Sequence, residues 1–314
     1  MPAEGKPGPS RHPWVRRASI VHRRAARWPA AVRALLWSGV SGLLFVILNT
    51  VMRQLAAQLA PFEMQFLRYF AAILVLLPFM LRSGFAAYRP KNLAGQLARG
   101  AVHAAALAMW FLSLAHITLA DTTAIGFTTP IFVMVGAALV FREPMRWERW
   151  VAASVGFAGV LIVVAPQLGG SAGRYALLML ASAPVFATSF MMTKALTRYE
   201  RTEVIVLWQA IGISICSLPL ALMDWHWPTA TQWALVLLCG VLGNGGQYCL
   251  TQSFNIADLS ATQSVKFLDL VWAAIAGWLV FGDVPHQTTI LGGVVIAAST
   301  LWIVRREARG RAPS

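Results

Sequence analysis

Charged residues are scarce in this sequence, and their scarcity limits the class of protein it can be. Of the 314 residues only 12% are charged, whereas 58% are hydrophobic. A soluble globular domain carries about 25% charged residues, so a soluble enzyme is disfavoured and a membrane protein is indicated. Cysteine is scarce too: there are three, all in apolar runs and without a CxxC pair, a pattern that indicates small buried side chains rather than disulfides or a metal site.

The sequence motifs of nucleotide binding and hydrolysis are also missing. There is no GxxxxGK[ST] segment, no HExxH segment and no GxSxG segment, which excludes the P-loop, the zinc-protease helix and the nucleophile elbow. We therefore predict no catalytic residues, no metal and no cofactor.

Long apolar runs make up most of the chain. A helix that crosses a bilayer needs about 20 mostly apolar residues, and the sequence contains ten such runs. These spans, numbered 1 to 10, lie at residues 34–55, 61–81, 97–117, 121–141, 147–166, 175–196, 203–223, 230–252, 260–281 and 287–304. The sequence thus predicts an all-α membrane protein with ten transmembrane helices.

The basic residues are distributed unevenly around these spans. The net charge is +14, from 26 Lys and Arg against 12 Asp and Glu. Twenty-two of the 26 fall on one side of a ten-span arrangement, for example Arg82, Arg89, Lys91 and Arg99 in the link after span 2, whereas the opposite side holds only Arg174. Because positive residues stay in the cytoplasm, we predict a multi-pass protein of the inner membrane with both termini cytoplasmic. These residues would contact membrane lipid, and nucleic acid is not expected as a partner.

The two halves of the chain echo each other. Matching positions recur in order at offsets of 136 to 141: Asp121 with Asp258, Arg53 with Lys194, Arg68 with Gln209, Pro78 with Pro219, and Gly156 with Gly292. Each half contains five spans, an odd number, so the second half enters the membrane from the opposite side. Inverted repeats with a binding site between them are typical of secondary transporters.

Several of these segments resemble the EamA repeat of the drug/metabolite transporter superfamily. They are Ala124 through Pro130-Ile-Phe, Phe141-Arg-Glu143-Pro144, Gly156-Phe-Ala-Gly159 and, in span 2, Phe66-Leu-Arg68-Tyr69. The resemblance implies two inverted five-helix repeats, at residues 34–166 and 174–305, around a central cavity bounded mainly by spans 3, 4, 8 and 9. It also implies transport of a small metabolite without ATP. Residues 1–33 are interpreted as a disordered basic cytoplasmic tail, and residues 306–314 as a second basic tail.

Two ionisable residues stand out in span 9. Lys266 and Asp269 lie three positions apart, on one face of a helix, in a stretch that is similar to the S-adenosylmethionine-carrier branch of the superfamily. A charge inside a bilayer costs about 2.5–3.5 kcal/mol on insertion scales, so it faces protein or water. The pair is therefore either a substrate or proton site, or an internal ion pair that joins span 9 to a neighbour.

Polar and aromatic side chains recur at helical spacing in spans 8 and 3. The stripe in span 8 consists of Asn244, Gln247, Tyr248, Thr251 and Gln252. Such a stripe faces either a substrate cavity or a hydrogen-bonded neighbouring helix. In span 3, His103 and Trp110 share a face. His103 is either a proton carrier or a hydrogen-bonded structural histidine, and Trp110 is either a wall of the site or a packing residue.

Spans 1 and 2 contribute further candidates. Arg68 lies well inside span 2, where a guanidinium needs a carboxylate or several carbonyls, so its role is either substrate binding or structural. Glu63 lies near the outer end of the same span, and we expect it at a solvated rim. Asn49 and Arg53 lie four residues apart in span 1. They therefore share a face of the helix, and we expect that face to point to the cavity. Glu143, at the cytoplasmic end of span 4, is expected to pair with arginines or to cap a helix.

These patterns favour a secondary transporter that works by alternating access between its repeats. The substrate is expected to be a small amphipathic organic metabolite. The resemblance implies that it is an amino-acid-like or S-adenosylmethionine-like compound, riboflavin or an opine-type compound. Coupling to protons, exchange, direction of transport, and a monomeric or homodimeric state are left open. The alternative is a polytopic membrane enzyme acting on a lipid-linked substrate, which would need a reactive cluster that the sequence does not contain.

Overall fold

The structure is a computed structural model of the chain. It describes residues 29–56, 58–114, 128–143, 147, 150–151, 154–155, 158, 173–266, 268–281, 291, 294–295, 298 and 302. Nearly all of the predicted N-terminal tail, the predicted C-terminal tail, the start of span 4 and most of spans 5 and 10 lie outside the described residues.

The described residues fold into nine α-helices and two short 3-10 helices, with no strand among them. The helices are α1 Ala30–Ala56, α2 Pro61–Ser83, α3 Leu93–Leu114, α4 Thr129–Phe141, α5 Gly173–Leu196, α6 Thr202–Ala221, α7 Ala230–Ile256, α8 Leu259–Lys266 and α9 Leu268–Phe281. Helices α1 to α4 correspond to spans 1 to 4, α5 to α7 to spans 6 to 8, and α8 and α9 to span 9. Five of them (in α1, α2, α5, α6 and α7) are long and apolar enough to cross a membrane, and the predicted all-α membrane fold is confirmed.

Local sequence signals set several helix ends. Pro61 begins α2 and Pro130 lies in the first turn of α4, where the missing N–H of proline has no helical partner to lose. Thr229 and Gln232 form a capping box at the start of α7. The outward faces are apolar: Phe79 and Leu139 are 58% and 76% exposed, as expected for side chains that contact lipid.

The two ends of the helix bundle are defined by its links. At one end, here called the basic end, the α2–α3 link meets the α5–α6 link, because Glu200 accepts hydrogen bonds from the backbone N–H groups of Lys91 and Asn92. At the other, here called the tryptophan end, Gln58 of the α1–α2 link accepts a hydrogen bond from Gln232 in the first turn of α7, next to the α6–α7 link that carries Trp225 and Trp227. Helix α1 ends at the tryptophan end, whereas its counterpart α5 ends at the basic end. The predicted inversion of the second repeat is therefore confirmed.

Contacts between the repeats follow the same relation. Helix α1 packs on α7 as α5 packs on α3, and α2 packs on α7 as α6 packs on α3. Likewise α4 packs on α5 as its counterparts α8 and α9 pack on α1. Two further contacts join a helix to its own counterpart: α2 packs on α6, and α4 packs on α8. Exchanging the two repeats thus reproduces these helix pairs, which is the two-fold relation expected of a duplicated transporter.

Two close helix crossings repeat this relation at the level of single residues. A methyl group on Gly100 of α3 would lie 2.8 Å from the Cα atom of Gly212 in α6. One on Gly240 of α7 would lie 2.8 Å from the carbonyl carbon of Ala71 in α2. Gly100 and Gly240 are 140 positions apart, and Ala71 and Gly212 are 141 apart. Glycine is required at both crossings because only its missing side chain lets the backbones approach so closely.

Candidate functional site

A small cavity lies between α2, α6 and α7, next to the Gly240 crossing. The empty space there is about 300 Å³ when the open solvent at its mouth is included, so the enclosed part is much smaller. The lining residues are Arg68, Tyr69, Ala72, Val206, Gln209, Ala210, Cys239, Gly243, Asn244 and Gln247. Three of the predicted site residues, Arg68, Asn244 and Gln247, are therefore brought together. Spans 2, 7 and 8 bound this cavity, whereas the resemblance implied spans 3, 4, 8 and 9.

Arg68 enters the cavity without a hydrogen-bond partner among the described residues. Its guanidinium lies 4.8 Å from the centre of the Tyr69 ring, and its Nε atom is buried and unbonded. It reaches past Gly243, where a Cβ atom would be only 3.7 Å from that Nε. No carboxylate of the described chain lies within ion-pair distance of Arg68. The half-buried guanidinium of Arg68 therefore has a buried donor that is unused, which is costly unless a ligand satisfies it.

Two amide side chains that line the cavity, Gln247 and Asn244, differ in how their donors are used. The Gln247 side chain is 8% exposed, and its Nε2 atom is buried without an acceptor. Asn244 is different, because its Nδ2 donates to the Ala72 carbonyl at 2.7 Å and thereby ties α7 to α2. The part of the cavity between Arg68 and Gln247 thus offers hydrogen-bond donors to an acceptor group that the protein does not itself supply.

Behind the cavity lies a buried arginine that the sequence analysis placed in a cytoplasmic link. The expectation was wrong for Arg99: helix α3 begins at Leu93, so Arg99 lies about two turns inside it, and its side chain is fully buried. It donates to Thr193 Oγ1 at 2.6 Å, to the Ile205 carbonyl at 3.1 Å and to Gln209 Oε1. One feature of the sequence could have indicated a buried position for Arg99. It precedes Gly100 as Cys239 precedes Gly240 in the second repeat, and Cys239 lies well inside an apolar run.

His103 lies one turn further along α3 and is satisfied by its neighbours. Its Nδ1 lies 2.9 Å from Ser189 Oγ, and its ring meets Phe186 and Phe190 edge-on at 5.3 and 6.2 Å. These contacts lie between α3 and α5, outside the cavity. They agree with the structural alternative for His103, although a proton-carrying role stays a prediction.

Lys266 and Asp269 form the ion pair that their spacing predicts, away from the cavity. Lys266 Nζ lies 3.3 Å from Asp269 Oδ2 and 5.4 Å from the centre of the Phe45 ring in α1. Gly42 of α1 faces the Asp269 carboxylate so closely that a methyl group there would overlap it. Both side chains are partly exposed, 15% and 25%. The pair therefore joins span 9 to span 1, and its function in binding or coupling stays a prediction.

The rest of the α7 stripe does not face the cavity. Tyr248 meets the Trp37 ring edge-on at 6.2 Å and accepts a hydrogen bond from Gln252 at 3.0 Å. Thr251 is buried and donates to the Gln247 carbonyl one turn earlier. Trp110 packs edge-on against Phe111 at 5.0 Å, beside the main apolar core.

The candidates near the bundle ends differ from one another. Asn49 is exposed on α1. Glu63 is fully buried, so the expected solvated rim position is wrong: the α6–α7 link covers it, and its carboxylate accepts from the backbone N–H of His226 at 3.4 Å. Glu143 caps a helix, which was one of its two expected roles: its carboxylate accepts a hydrogen bond from the backbone N–H of Leu259 at the start of α8. Among the described residues, no group of three His, Cys, Asp or Glu side chains could hold a metal ion.

Comparisons with known proteins agree with this architecture. A solved crystal structure superposes with a TM-score of 0.75 at 16% identity, covering 88% of this chain and 97% of that one, which shows the fold. The riboflavin transporter of Rhizobium johnstonii is 35% identical over 282 residues, covering 89% of this chain and 93% of that protein. The S-adenosylmethionine uptake transporter of Rickettsia prowazekii is 30% identical, with 83% and 88% covered. The pseudopaline exporter of Pseudomonas aeruginosa is 30% identical, with 86% and 97% covered.

The EamA-like transporter family matches the sequence twice, at residues 32–165 and 173–305. The two matches fall on the two inverted repeats that the helix pairs define. The resemblance stated from the sequence is thereby confirmed, and the chain belongs to the EamA-like transporter family.

Proposed function

We propose that this protein is a secondary carrier of a small, uncharged, acceptor-rich organic metabolite, with riboflavin as the first candidate. One observation supports this choice of substrate: the cavity holds the unpartnered donors of Arg68 and Gln247 and is lined by no carboxylate. Relatives that carry small metabolites agree with the general activity. No observation on the described residues supports the alternative of a membrane enzyme.

The chemistry of the candidate substrates favours riboflavin over S-adenosylmethionine. The riboflavin ring presents carbonyl oxygens and unprotonated ring nitrogens that accept hydrogen bonds along one edge, with a single N–H donor between the carbonyls, and an apolar edge opposite. S-adenosylmethionine carries a positive sulfonium, and a cation is disfavoured beside guanidinium groups that no carboxylate neutralises. Arg68 lies in the cavity and Arg99 lies directly behind Gln209, so this repulsion acts from two sides.

The inverted repeats supply a mechanism of alternating access. Hydrogen bonds cross between the repeats at both ends of the bundle: Glu200 and Glu143 make them at the basic end, and Glu63 and Gln58 at the tryptophan end. Transport requires these contacts to break at one end at a time. By the distribution of its basic residues, the basic end faces the cytoplasm of the inner membrane. Coupling is to protons or to exchange, with Asp269, Lys266 or His103 as relay candidates.

Transport in proteoliposomes tests this proposal. We expect the purified protein to give saturable riboflavin flux that accelerates when unlabelled riboflavin is present on the opposite side. S-adenosylmethionine should neither be carried at a comparable rate nor compete. Riboflavin flux that neither saturates nor shows counterflow would overturn the proposal, and preferred transport of the sulfonium would reverse the choice of substrate.

Matched variants connect the activity to the cavity. Gln247→Leu keeps the side-chain volume but removes the unpartnered donor, and we expect its riboflavin KM to rise roughly tenfold, as for the loss of one buried hydrogen bond. Gln54→Leu makes the same change at an exposed position of α1 and should leave KM unchanged. Equal KM values for the two variants would place the substrate elsewhere.

A further inference from the structure

Arg99 is a buried cation whose partners among the described residues are all neutral. Its Nε donates to the Thr193 hydroxyl at 2.6 Å and its Nη1 to the Ile205 carbonyl at 3.1 Å, while its Nη2 donates to Gln209. The side chain has no exposed surface. Burial of a charge without a counter-charge is unfavourable. We therefore expect Arg99 to have a function that depends on its charge or on the hydrogen bonds that it makes.

The bond to Gln209 fixes the orientation of an amide that lines the cavity. A guanidinium can only donate hydrogen bonds, so the Gln209 atom that it contacts must be the oxygen. The amide nitrogen of Gln209 then points away from Arg99, and it has no acceptor among the described residues. Because Gln209 lines the cavity, this nitrogen adds a third donor to those of Arg68 and Gln247.

The duplication shows how the two crossings differ in the described part of the chain. Arg99 precedes Gly100 at the α3–α6 crossing, and Cys239 precedes Gly240 at the corresponding α7–α2 crossing. Arg99 contacts Gln209, which corresponds to Arg68 at an offset of 141. The small thiol of Cys239 therefore leaves space beside Arg68, whereas in the first repeat a guanidinium occupies the corresponding position.

We propose that Arg99 is a positioning residue of the transport site that sets its selectivity through Gln209. It holds the Gln209 amide with its N–H groups toward the cavity and adds a positive charge behind them. The cavity then prefers groups that accept hydrogen bonds or carry negative charge, and it rejects cations. This inference rests on the proposed function, because it concerns the same cavity.

A double-mutant cycle in lipid nanodiscs tests the link between the two side chains. Arg99→Met and Gln209→Met should each raise the Kd of riboflavin, followed by quenching of its fluorescence, by roughly fivefold to tenfold. The double variant should be no weaker than either single variant, since residues that act through one another are not additive. Additive effects on Kd would overturn the proposal, because a purely structural role for Arg99 would act independently of Gln209.

A second measurement does not depend on riboflavin. In a protein with Cys216→Ser and Cys249→Ser, Cys239 is the remaining thiol and it lines the cavity. We expect an anionic methanethiosulfonate reagent to modify it about tenfold faster than a cationic one of similar size. Arg99→Met should reduce this ratio, whereas Arg82→Met, which removes an exposed arginine at the basic end, should not. An unchanged ratio in Arg99→Met would refute the inference.

A third variant covers the case in which Arg99→Met does not fold. Gln209→Glu leaves Arg99 in place, gives it a carboxylate partner and brings a negative charge to the cavity. We expect the preference for the anionic reagent to fall, because one carboxylate offsets one of the two arginine charges, and riboflavin binding to weaken; an unaltered preference would contradict the inference. Failure of riboflavin to bind the unmodified protein, with the thiol preference as expected, would refute the proposed substrate alone.

Discussion

Replacement of Gly240 by alanine is the substitution whose effect the structure predicts most directly. The new methyl group would lie 2.8 Å from the Ala71 carbonyl carbon and 3.0 Å from both the Ala71 oxygen and the Ala72 nitrogen. All three are backbone atoms of α2, so no side-chain rotation relieves the contact. The two helices must separate by about 0.6 Å or more to restore an ordinary contact distance.

The separation has two energetic costs. Overpacking of this kind costs about 1–3 kcal/mol. It also stretches the 2.7 Å hydrogen bond from Asn244 to the Ala72 carbonyl, which contributes a further ~0.5–1.5 kcal/mol. Because alanine favours a helix over glycine by roughly 1 kcal/mol, the appropriate reference is another mid-helix glycine. Gly39 of α1 serves, since a methyl group there would be 3.9 Å from the nearest atom, a Val265 side chain.

The free energy of unfolding, measured by titration into denaturing detergent, should therefore be about 2–4 kcal/mol lower for Gly240→Ala than for Gly39→Ala. Gly100→Ala, at the corresponding crossing against Gly212, should show a loss of similar size. Riboflavin binding should weaken in Gly240→Ala, because the cavity lies beside this crossing. Equal stabilities for Gly240→Ala and Gly39→Ala would refute the close crossing on which the cavity depends.

Two further substitutions test the cross-repeat contacts and the ion pair. Glu200→Ala leaves two N–H groups before α3 without their acceptor and should lower the free energy of unfolding by ~1–2 kcal/mol, whereas Glu203→Ala, which breaks a surface ion pair, should change it little; similar losses would contradict the capping role. Asp269→Asn and Lys266→Ala should each lower transport at normal membrane levels, and the combined variant should stay inactive if the pair is a site. Recovery of transport in the combined variant would make it a structural ion pair.

The membrane helices of the described residues and the inversion of the second repeat could be predicted because they depend on local features. A run of about twenty apolar residues specifies a membrane helix whatever its neighbours in the bundle are. An odd number of spans in each repeat inverts the second copy. Helices α1 and α3 each begin four residues before the predicted span, at Ala30 and Leu93. Arg99 lay inside the predicted span at 97–117 but was counted with the basic residues of the preceding link, whereas its side chain is fully buried inside the bundle.

The site was predicted only in part. Arg68, Asn244 and Gln247 were identified as polar residues inside apolar runs, and they do meet at one cavity. Gln209 and Cys239 were not identified as site residues: Gln209 was noted only as the repeat counterpart of Arg68, and Cys239 only as a small buried side chain. Glu63 was expected in solvent, yet a link distant in sequence covers it.

The sequence by itself determined the membrane class, the helical fold, the side on which the basic residues gather and the duplication, since each follows from composition and order along the chain. Only the tertiary structure decided which polar groups share a space. Helical spacing fixes which residues lie on one face of a helix. The direction in which that face points, and the helix that it meets, depend on packing between helices that are distant in sequence. The close crossings at Gly100 and Gly240 set that packing, and they leave an arginine on one side and a cavity on the other.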